Sequence, residues 1–175
     1  TKSPHVMLSG AGAEEFAKEQ GLEMVEDNMY FATPKTMEWI EKLKQESKKN
    51  GTVGCVVLDK QGNLTAGTST GGMFKKRWGR IGDSPVIGAG TYADNNSCAV
   101  SCTGHGEYFI RHAVAFDVCA RYKYLKESVE KAADYIIHTE LNTNAGNGGL
   151  IAVYKLGNIA MPYNSGGMFR GFLYK

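Results

Sequence analysis

Apolar and polar residues follow different patterns before and after residue 50. The segment 9–20 predicts a short helix that Gly21 ends. The segment 32–50 predicts a second helix, with apolar positions repeating every three or four residues. Its end passes into the polar run 44–50, which is the best candidate for a linker in the chain.

After residue 50 the pattern changes to short apolar runs that are typical of strands. Five strands are predicted, over residues 53–58, 64–70, 99–103, 149–154 and 159–162. The first of these runs is almost wholly apolar, so we expect both of its faces to be buried. The first two strands and the last two each form a hairpin, because Gly-Asn stands in both connections, at Gly62 and Gly157.

Two helices are predicted between the strand groups. The first covers residues 104–125, with Phe109, Ala113, Phe116 and Ala120 on one side, and the second covers residues 127–141. Strands that are buried on both faces need a second layer on each side. We therefore expect an α+β fold, in which helices cover one face of a sheet and another sheet covers the other face.

Composition narrows the class of protein. The chain has 175 residues, of which 42% are apolar and 22% are charged, and this fits one globular domain. A net charge of +2 is too small to imply a nucleic-acid partner, and no apolar run is long enough to span a membrane. The chain begins "TKSPHVML" without a methionine, which suggests a piece of a longer or processed protein.

The four cysteines show no C-x-x-C pair. We expect them to be reduced, buried thiols rather than metal ligands or disulfides, and no metal site is predicted. Reduced thiols favour a reducing compartment, so the prediction for localisation is the cytoplasm.

A threonine that directly follows a glycine at the start of a buried strand suggests a particular chemistry. Threonine is a weak nucleophile unless a base lies beside it, and its own free α-amine can serve as that base. That amine titrates near ~7.7–8.0, so a fraction is neutral at pH 7. The requirement is that Thr52 becomes the first residue of a chain, which cleavage of the bond after Gly51 would achieve.

Several segments in a fixed order resemble one known family. These are "KSPHVMLSGAGAEEFA", "TVGCVVLDKQGNLTAGTSTGGM", "GRIGDSP", "GAGTYADN", "CTGHGE" and "MPYNSGGMFRG". Together they are similar to the plant-type asparaginases and isoaspartyl peptidases, which are N-terminal-nucleophile hydrolases. The resemblance implies an αββα sandwich that lacks its N-terminal part in this chain. Residues 1–51 would be the end of the α subunit, and residues 52–175 the β subunit.

The resemblance also implies what accompanies the chain. The family's structural sodium ion would be held by the absent N-terminal part, and no organic cofactor is expected. The expected partners are a small-molecule substrate, the missing part of the α subunit and a second αβ unit, which together form a dimer of αβ units. Nucleic acid and membranes are not expected partners.

The resemblance implies catalytic roles at five positions. Cleavage would fall between Gly51 and Thr52, and Thr52 would be the nucleophile. Thr70 would support the nucleophile with its hydroxyl. Thr103 and Gly104 would form the oxyanion hole, where a hydroxyl and a main-chain N–H suit a developing negative charge.

The resemblance implies substrate-binding roles at Arg80, Asp83, Gly104 and Gly106. A guanidinium can bind a carboxylate through two parallel hydrogen bonds, and a carboxylate complements an ammonium. Arg80 and Asp83 would therefore hold the α-carboxylate and the α-ammonium of an aspartyl group. From spacing alone, the same two residues could form an ordinary surface salt bridge, and the threonines and glycines could serve only strands and turns.

The predicted function is self-cleavage followed by hydrolysis of L-asparagine or β-aspartyl dipeptides. One alternative is a glycosylasparaginase, which shares "GR.GDSP" and "TGHGE", although the ending "MPYNSGGMFRG" is similar to the asparaginase branch. A second alternative, from a different class, is a polyanion-binding domain that uses the basic loop "KKRWGR" at residues 75–80.

Overall fold

The structure is a computed structural model of the chain. It describes residues 8–34, 37–38, 51–73, 76 and 78–174. The chain divides into two compact units, Thr1–Lys48 and Lys49–Lys175. Most of the second predicted helix and the candidate linker 44–50 lie outside the described residues.

In the first unit, helix α1 (Gly10–Glu19) confirms the prediction for residues 9–20. The helix ends as predicted at Gly21, where φ is +68°. The N–H of Gly21 donates to the Lys18 carbonyl, and the next N–H donates to the Ala17 carbonyl, both at 3.0 Å. These two bonds satisfy carbonyls that the end of the helix leaves free. A short 3₁₀ helix follows at Asn28–Phe31.

The described residues of the second unit form six strands and a group of short helices. The strands are β1 Thr52–Leu58, β2 Leu64–Thr70, β3 Thr91–Ala93, β4 Cys98–Gly104, β5 Gly148–Tyr154 and β6 Ile159–Ala160. The helices are α2 Gly106–Arg111, α3 Val114–Leu125, α4 Val129–Tyr135, a π-helical turn Ile136–Glu140 and α5 Leu141–Thr143. All five predicted strands are confirmed, whereas the short strand β3 was not predicted.

The strands form two antiparallel sheets. Among the described strands, β1 and β2 pair only with each other, and the second sheet has the order β3-β4-β5-β6. The predicted turns are confirmed, since φ is +85° at Gly62 and +91° at Gly157. These positive values explain why glycine occupies both turns.

Two buried clusters show how the layers stack. A small cluster that contains Leu64, Ala99 and Val153 lies between the two sheets. A larger cluster lies on the opposite face of the four-stranded sheet, where Phe109 and Ile137 from the helices pack with strand residues such as Leu150. The described part of this unit is therefore helix on sheet on sheet, which confirms the α+β class. The complete αββα sandwich stays a prediction.

The outer face of the β1–β2 hairpin corrects one prediction. Val53 and Val57 are 69% and 47% exposed, so residues 53–58 are not buried on both faces in this chain. Side chains alternate along a strand, and Val56 and Leu58 therefore point to the inter-sheet cluster while Val53 and Val57 point away from it. A run of apolar residues cannot by itself distinguish these two cases.

The two sheets approach closely at Gly54. A Cβ atom built there would lie 2.1 Å from the Ser101 Oγ and 2.9 Å from the Ser101 Cβ, on the neighbouring sheet. We expect Gly54→Ala to lower the stability of the chain by about 1–3 kcal/mol, because the sheets must move apart. Gly67, across the hairpin, has nothing within 4 Å of a built Cβ, so Gly67→Ala is the control. Equal melting temperatures for the two variants would contradict this packing.

The predicted helix over residues 104–125 is wrong as a single element. Helices α2 and α3 are separated at His112 and Ala113, and Ala113 adopts a left-handed conformation with φ of +46°. Because of this break, α3 turns a different side toward the core from the one predicted for a single helix. Val114 and Val118 are consequently buried, whereas Phe116 is 41% exposed.

The prediction of four reduced cysteines is also wrong. Cys98 on β4 and Cys119 on α3 form a disulfide, with Cα atoms 5.5 Å apart. Helix α3 packs on the face of β4 that the helices cover. This packing brings the two cysteines together, and their spacing in the sequence does not predict it. Cys102 is buried and free, and Cys55 is exposed and free. The argument for the cytoplasm rested on reduced thiols and no longer has that support.

Among the described residues, no helix is both long enough and apolar enough to cross a membrane. Within the same residues, no group of three or more His, Cys, Asp or Glu side chains is placed to hold a metal ion. The prediction that no cofactor is needed stays a prediction.

Candidate active site

The start of β1 and the end of β2 bring two threonine hydroxyls together. Thr52 pairs with Thr70 in the antiparallel register. The Thr52 Oγ1 lies 3.2 Å from the Thr70 Oγ1, which in turn lies 2.9 Å from the Gly51 carbonyl oxygen. The N–H of Gly72 donates to the same Thr70 hydroxyl at 3.0 Å.

The single proton of the Thr70 hydroxyl fixes the direction of these bonds. A hydroxyl donates one hydrogen bond and accepts up to two. Thr70 donates to the Gly51 carbonyl, so it accepts from the Thr52 hydroxyl and from the Gly72 N–H. The Thr52 hydroxyl is thus linked through one side chain to the carbonyl of its own preceding peptide bond. The hairpin register alone places these groups, since Thr52 and Thr70 are opposite residues.

Arg80 is held by a carboxylate that the sequence analysis did not assign. Its Nε and Nη2 donate to the Glu107 Oε1 and Oε2, both at 2.8 Å. The hydrogen bonds and charge of Arg80 lower the pKa of Glu107 from 4.5 to about 2, and the same bonds raise the pKa of Arg80. The pair is bidentate, which is the strongest arrangement for these two groups.

Asp83 lies close to Arg80 but has a different environment. It is only 5% exposed, and its Oδ2 is buried with no hydrogen-bond partner among the described residues. Burial raises the pKa of Asp83, and the nearby Arg80 charge offsets part of that effect. The described residues contain no Arg80–Asp83 ion pair, so the alternative of an ordinary salt bridge between them is wrong.

Two of the predicted site glycines lie where a side chain would not fit. A Cβ at Gly106 would lie 2.8 Å from the Asp83 Oδ1 and 2.9 Å from the Arg80 Nη2. Gly104 has φ of +150°, and a Cβ there would lie 2.4 Å from the Asn147 carbonyl oxygen. Glycine at 106 therefore lets the backbone approach both charged groups, and glycine at 104 lets β4 approach the chain that enters β5.

A cleft of about 300 Å³ extends from Thr70 to Arg80. It is lined by Thr68, Ser69, Thr70, Gly72, Lys76, Arg80, Ile81, Gly82, Ser84 and Pro85. The structure thus brings Thr52, Thr70 and Gly51 together in one group and Arg80, Asp83 and Gly106 in another. Each group has one residue that lines the cleft, Thr70 in the first and Arg80 in the second.

Thr103 and Gly104, the predicted oxyanion donors, do not line this cleft. Thr103 lies in β4 and is half-buried, and the described part of the chain gives its hydroxyl no hydrogen-bond partner. That hydroxyl is therefore available to a ligand. No described contact joins it to Thr52, so its catalytic role stays a prediction.

With this geometry established, the chain was compared with known proteins. The family model described as "Asparaginase" matches residues 1–175, which is the whole chain. The chain belongs to the asparaginase family. The resemblance on which the sequence analysis relied is therefore confirmed at the level of the family.

Members of the asparaginase family from distant organisms match nearly all of the chain. An isoaspartyl peptidase of Salmonella typhimurium is 46% identical over 187 residues, which cover 99% of this chain and 59% of that protein. An isoaspartyl peptidase of Escherichia coli is 44% identical over 99% of this chain and 58% of its own length. The human isoaspartyl peptidase/L-asparaginase is 39% identical over 95% of this chain and 56% of its own length. The chain thus spans less than two thirds of these relatives.

The polyanion alternative depends on the loop 75–80. Residues 75 and 77 of that loop lie outside the described residues. Within the described residues, the charge of Arg80 is committed to Glu107, and Lys76 lines the cleft. Nothing in this arrangement favours a long anionic polymer over a small ligand, so we do not propose polyanion binding.

Proposed function

We propose that the chain carries the nucleophile of a self-cleaving amidohydrolase that acts on L-asparagine and β-aspartyl dipeptides. Cleavage between Gly51 and Thr52 would give an α part that ends at residue 51 and a β part that begins at Thr52. Two such αβ units would pair in the mature enzyme. The names of the relatives support the choice of substrate, and the hydrogen bonds of Thr70 support the choice of nucleophile.

The observation that carries the proposal is the bridging position of the Thr70 hydroxyl. It donates to the Gly51 carbonyl and accepts from the Thr52 hydroxyl. A donor on the carbonyl oxygen makes the carbonyl carbon more electrophilic, and an acceptor on the hydroxyl makes its oxygen more nucleophilic. A structural threonine pair in a hairpin has no need to contact the preceding carbonyl.

Self-cleavage would proceed in two steps. First, the Thr52 Oγ1 attacks the Gly51 carbonyl carbon, the C–N bond breaks, and the hydroxyl proton passes to the departing nitrogen. The product is an ester between Gly51 and the Thr52 side chain. Water then hydrolyses the ester, which gives Gly51 a carboxylate and leaves Thr52 with a free hydroxyl and a free α-amine. The first step thus frees the α-amine that serves as base in later catalysis, and the second step frees the hydroxyl that serves as nucleophile.

Hydrolysis of the substrate would use the same atoms again. The free α-amine of Thr52 accepts the hydroxyl proton while Oγ1 attacks the β-carbonyl carbon of the substrate. The C–N bond of the amide breaks, and the proton passes to the leaving amine. Water then attacks the β-aspartyl ester and releases L-aspartate. Thr70 is proposed to support the nucleophile in both reactions, because its hydroxyl acts as acceptor toward Thr52.

Asp83 and Arg80 supply the features that a free amino-acid backbone needs. The unpartnered, buried oxygen of Asp83 lacks a compensating charge, which an α-ammonium would provide. On Arg80, Glu107 uses Nε and one hydrogen of Nη2. The end of the guanidinium, with Nη1 and the second Nη2 hydrogen, can still bind an α-carboxylate through two bonds.

Steady-state kinetics with three substrates tests this proposal. We expect turnover of β-aspartyl-leucine and asparagine but not of α-aspartyl-leucine, because in the α-linked peptide the α-carboxyl group forms the scissile amide. Arg80→Lys keeps the charge but loses the planar fork. We expect it to lower kcat/KM by roughly ten- to hundredfold, which corresponds to about 1.5–3 kcal/mol for a charged hydrogen bond. Comparable turnover of the α-linked peptide would show that the assignment is wrong.

A further inference from the structure

Arg80 lies between two carboxylates that could both bind it. Glu107 holds it through two bonds of 2.8 Å. Asp83 is close enough for the charges of Arg80 and Asp83 to affect each other. Both groups lie against the same point, since a Cβ at Gly106 would be 2.8 Å from the Asp83 Oδ1 and 2.9 Å from the Arg80 Nη2. Yet Asp83 Oδ2 has no hydrogen-bond partner within the described residues.

The choice between these two carboxylates has a consequence for ligand binding. A guanidinium that paired with Asp83 would satisfy the buried carboxylate from inside the protein. It would at the same time withdraw the positive charge from the cleft. Neither group would then be free for the two ends of an amino-acid backbone. Arg80 pairs with Glu107 instead, and in this arrangement it lines the cleft.

We propose that Glu107 is a positioning residue that holds Arg80 away from Asp83, so that Asp83 is unpaired and the Nη1 side of Arg80 is unused when a free amino-acid backbone arrives. The inference rests on the proposed function, since it names what keeps the substrate-binding residues ready. Glu107 need not touch the substrate. Its carboxylate is 40% exposed and also lies 3.4 Å from the His105 Nε2. The site is therefore preorganised, because no ion pair between Arg80 and Asp83 has to break before the substrate binds.

The kinetic test uses Glu107→Gln, which keeps the shape of the side chain. The variant loses the charge and places an amide nitrogen where one oxygen accepted from Arg80. We expect KM for β-aspartyl-leucine to rise by roughly ten- to hundredfold, while kcat changes by less than about threefold. The matched control is Glu127→Gln, because the Glu127 Oε2 accepts from the Arg121 Nε at 2.9 Å away from the cleft. We expect Glu127→Gln to leave KM unchanged.

A second readout does not depend on activity. If Glu107 keeps Arg80 from Asp83, then Arg80 moves to Asp83 in Glu107→Gln, and its charge lowers the raised pKa of Asp83. A ¹³C NMR titration of the side-chain carboxyl of Asp83 measures that pKa in both proteins. The charge of Glu107 itself raises the pKa of Asp83, so its loss lowers that pKa directly. The same substitution in an Arg80→Met background gives only this direct fall, and any further fall when Arg80 is present reports the move of Arg80.

The outcomes separate the inference from the proposed function. A raised KM together with an Asp83 pKa that falls further than it does in the Arg80→Met background supports the inference. An equal fall in both backgrounds overturns it, and so does an unchanged KM. A wild-type protein that hydrolyses none of the three substrates would contradict the proposed function, and the titration would still decide whether Glu107 holds Arg80 from Asp83.

Discussion

Thr52→Ala is expected to leave the chain uncut between Gly51 and Thr52 and to abolish amide hydrolysis. The substitution removes the oxygen that attacks in both reactions, and without cleavage no free α-amine forms to act as base. Losing a catalytic nucleophile lowers kcat by roughly 10⁴- to 10⁶-fold in well-studied hydrolases. Intact mass under denaturing conditions measures cleavage, and asparagine turnover measures activity.

Two further variants distinguish chemistry from folding in this experiment. Thr52→Ser keeps a hydroxyl and would keep an α-amine, so we expect part of both activities. Thr65→Ala changes an exposed threonine of the same hairpin, opposite Val57, and should behave like wild type. Full turnover by a wholly uncleaved chain would refute the mechanism, because an internal Thr52 has no amine of its own.

The hairpin that holds Thr52 could be predicted from the sequence. The Gly62-Asn63 turn and the strand-forming residues on either side of it fix the pairing of β1 with β2. That pairing places Thr52 opposite Thr70 without any help from the rest of the fold. The family resemblance then gave these two threonines their roles, and the contact between their hydroxyls agrees with them.

Features that depend on distant packing could not be predicted. The partner of Arg80 is Glu107, which is 27 residues away in sequence, and no spacing rule links the two. Glu107 ends the segment "CTGHGE", and the family resemblance implied no role for this glutamate. The Cys98–Cys119 disulfide was missed for the same reason, since it joins a strand to a helix. The break at Ala113 arises from a left-handed residue for which alanine gives no local signal.

Together, these contacts divide the proposed site into a reacting end and a recognising end. The reacting end is the threonine pair at the open end of the β1–β2 hairpin. The recognising end is the loop that carries Arg80 and Asp83, fixed from α2 by Glu107. The cleft passes between the two ends, since both Thr70 and Arg80 line it. A substrate of the proposed kind needs its α-groups at one end and its side-chain amide at the other.

Thr70→Val is expected to slow both self-cleavage and substrate hydrolysis by roughly 10²- to 10³-fold, the effect of losing one well-placed donor to a reacting carbonyl. Valine has nearly the same shape as threonine but neither donates nor accepts. The Gly51 carbonyl loses its donor, and the Thr52 hydroxyl and the Gly72 N–H lose their acceptor. The half-time of cleavage on a denaturing gel and the kcat for asparagine measure the two effects.

The controls for Thr70→Val decide between a chemical and a structural effect. Thr70→Ser restores the hydroxyl and should recover most of both rates, although a serine side chain fills less of the hairpin. Thr65→Val makes the same substitution on the same strand at an exposed position and should leave both rates unchanged. If Thr70→Val cleaved itself and hydrolysed asparagine as fast as wild type, the bond from Thr70 to the Gly51 carbonyl would be structural only. The proposal that this hydroxyl prepares both reactions would then have to be abandoned, even with Thr52 as the nucleophile.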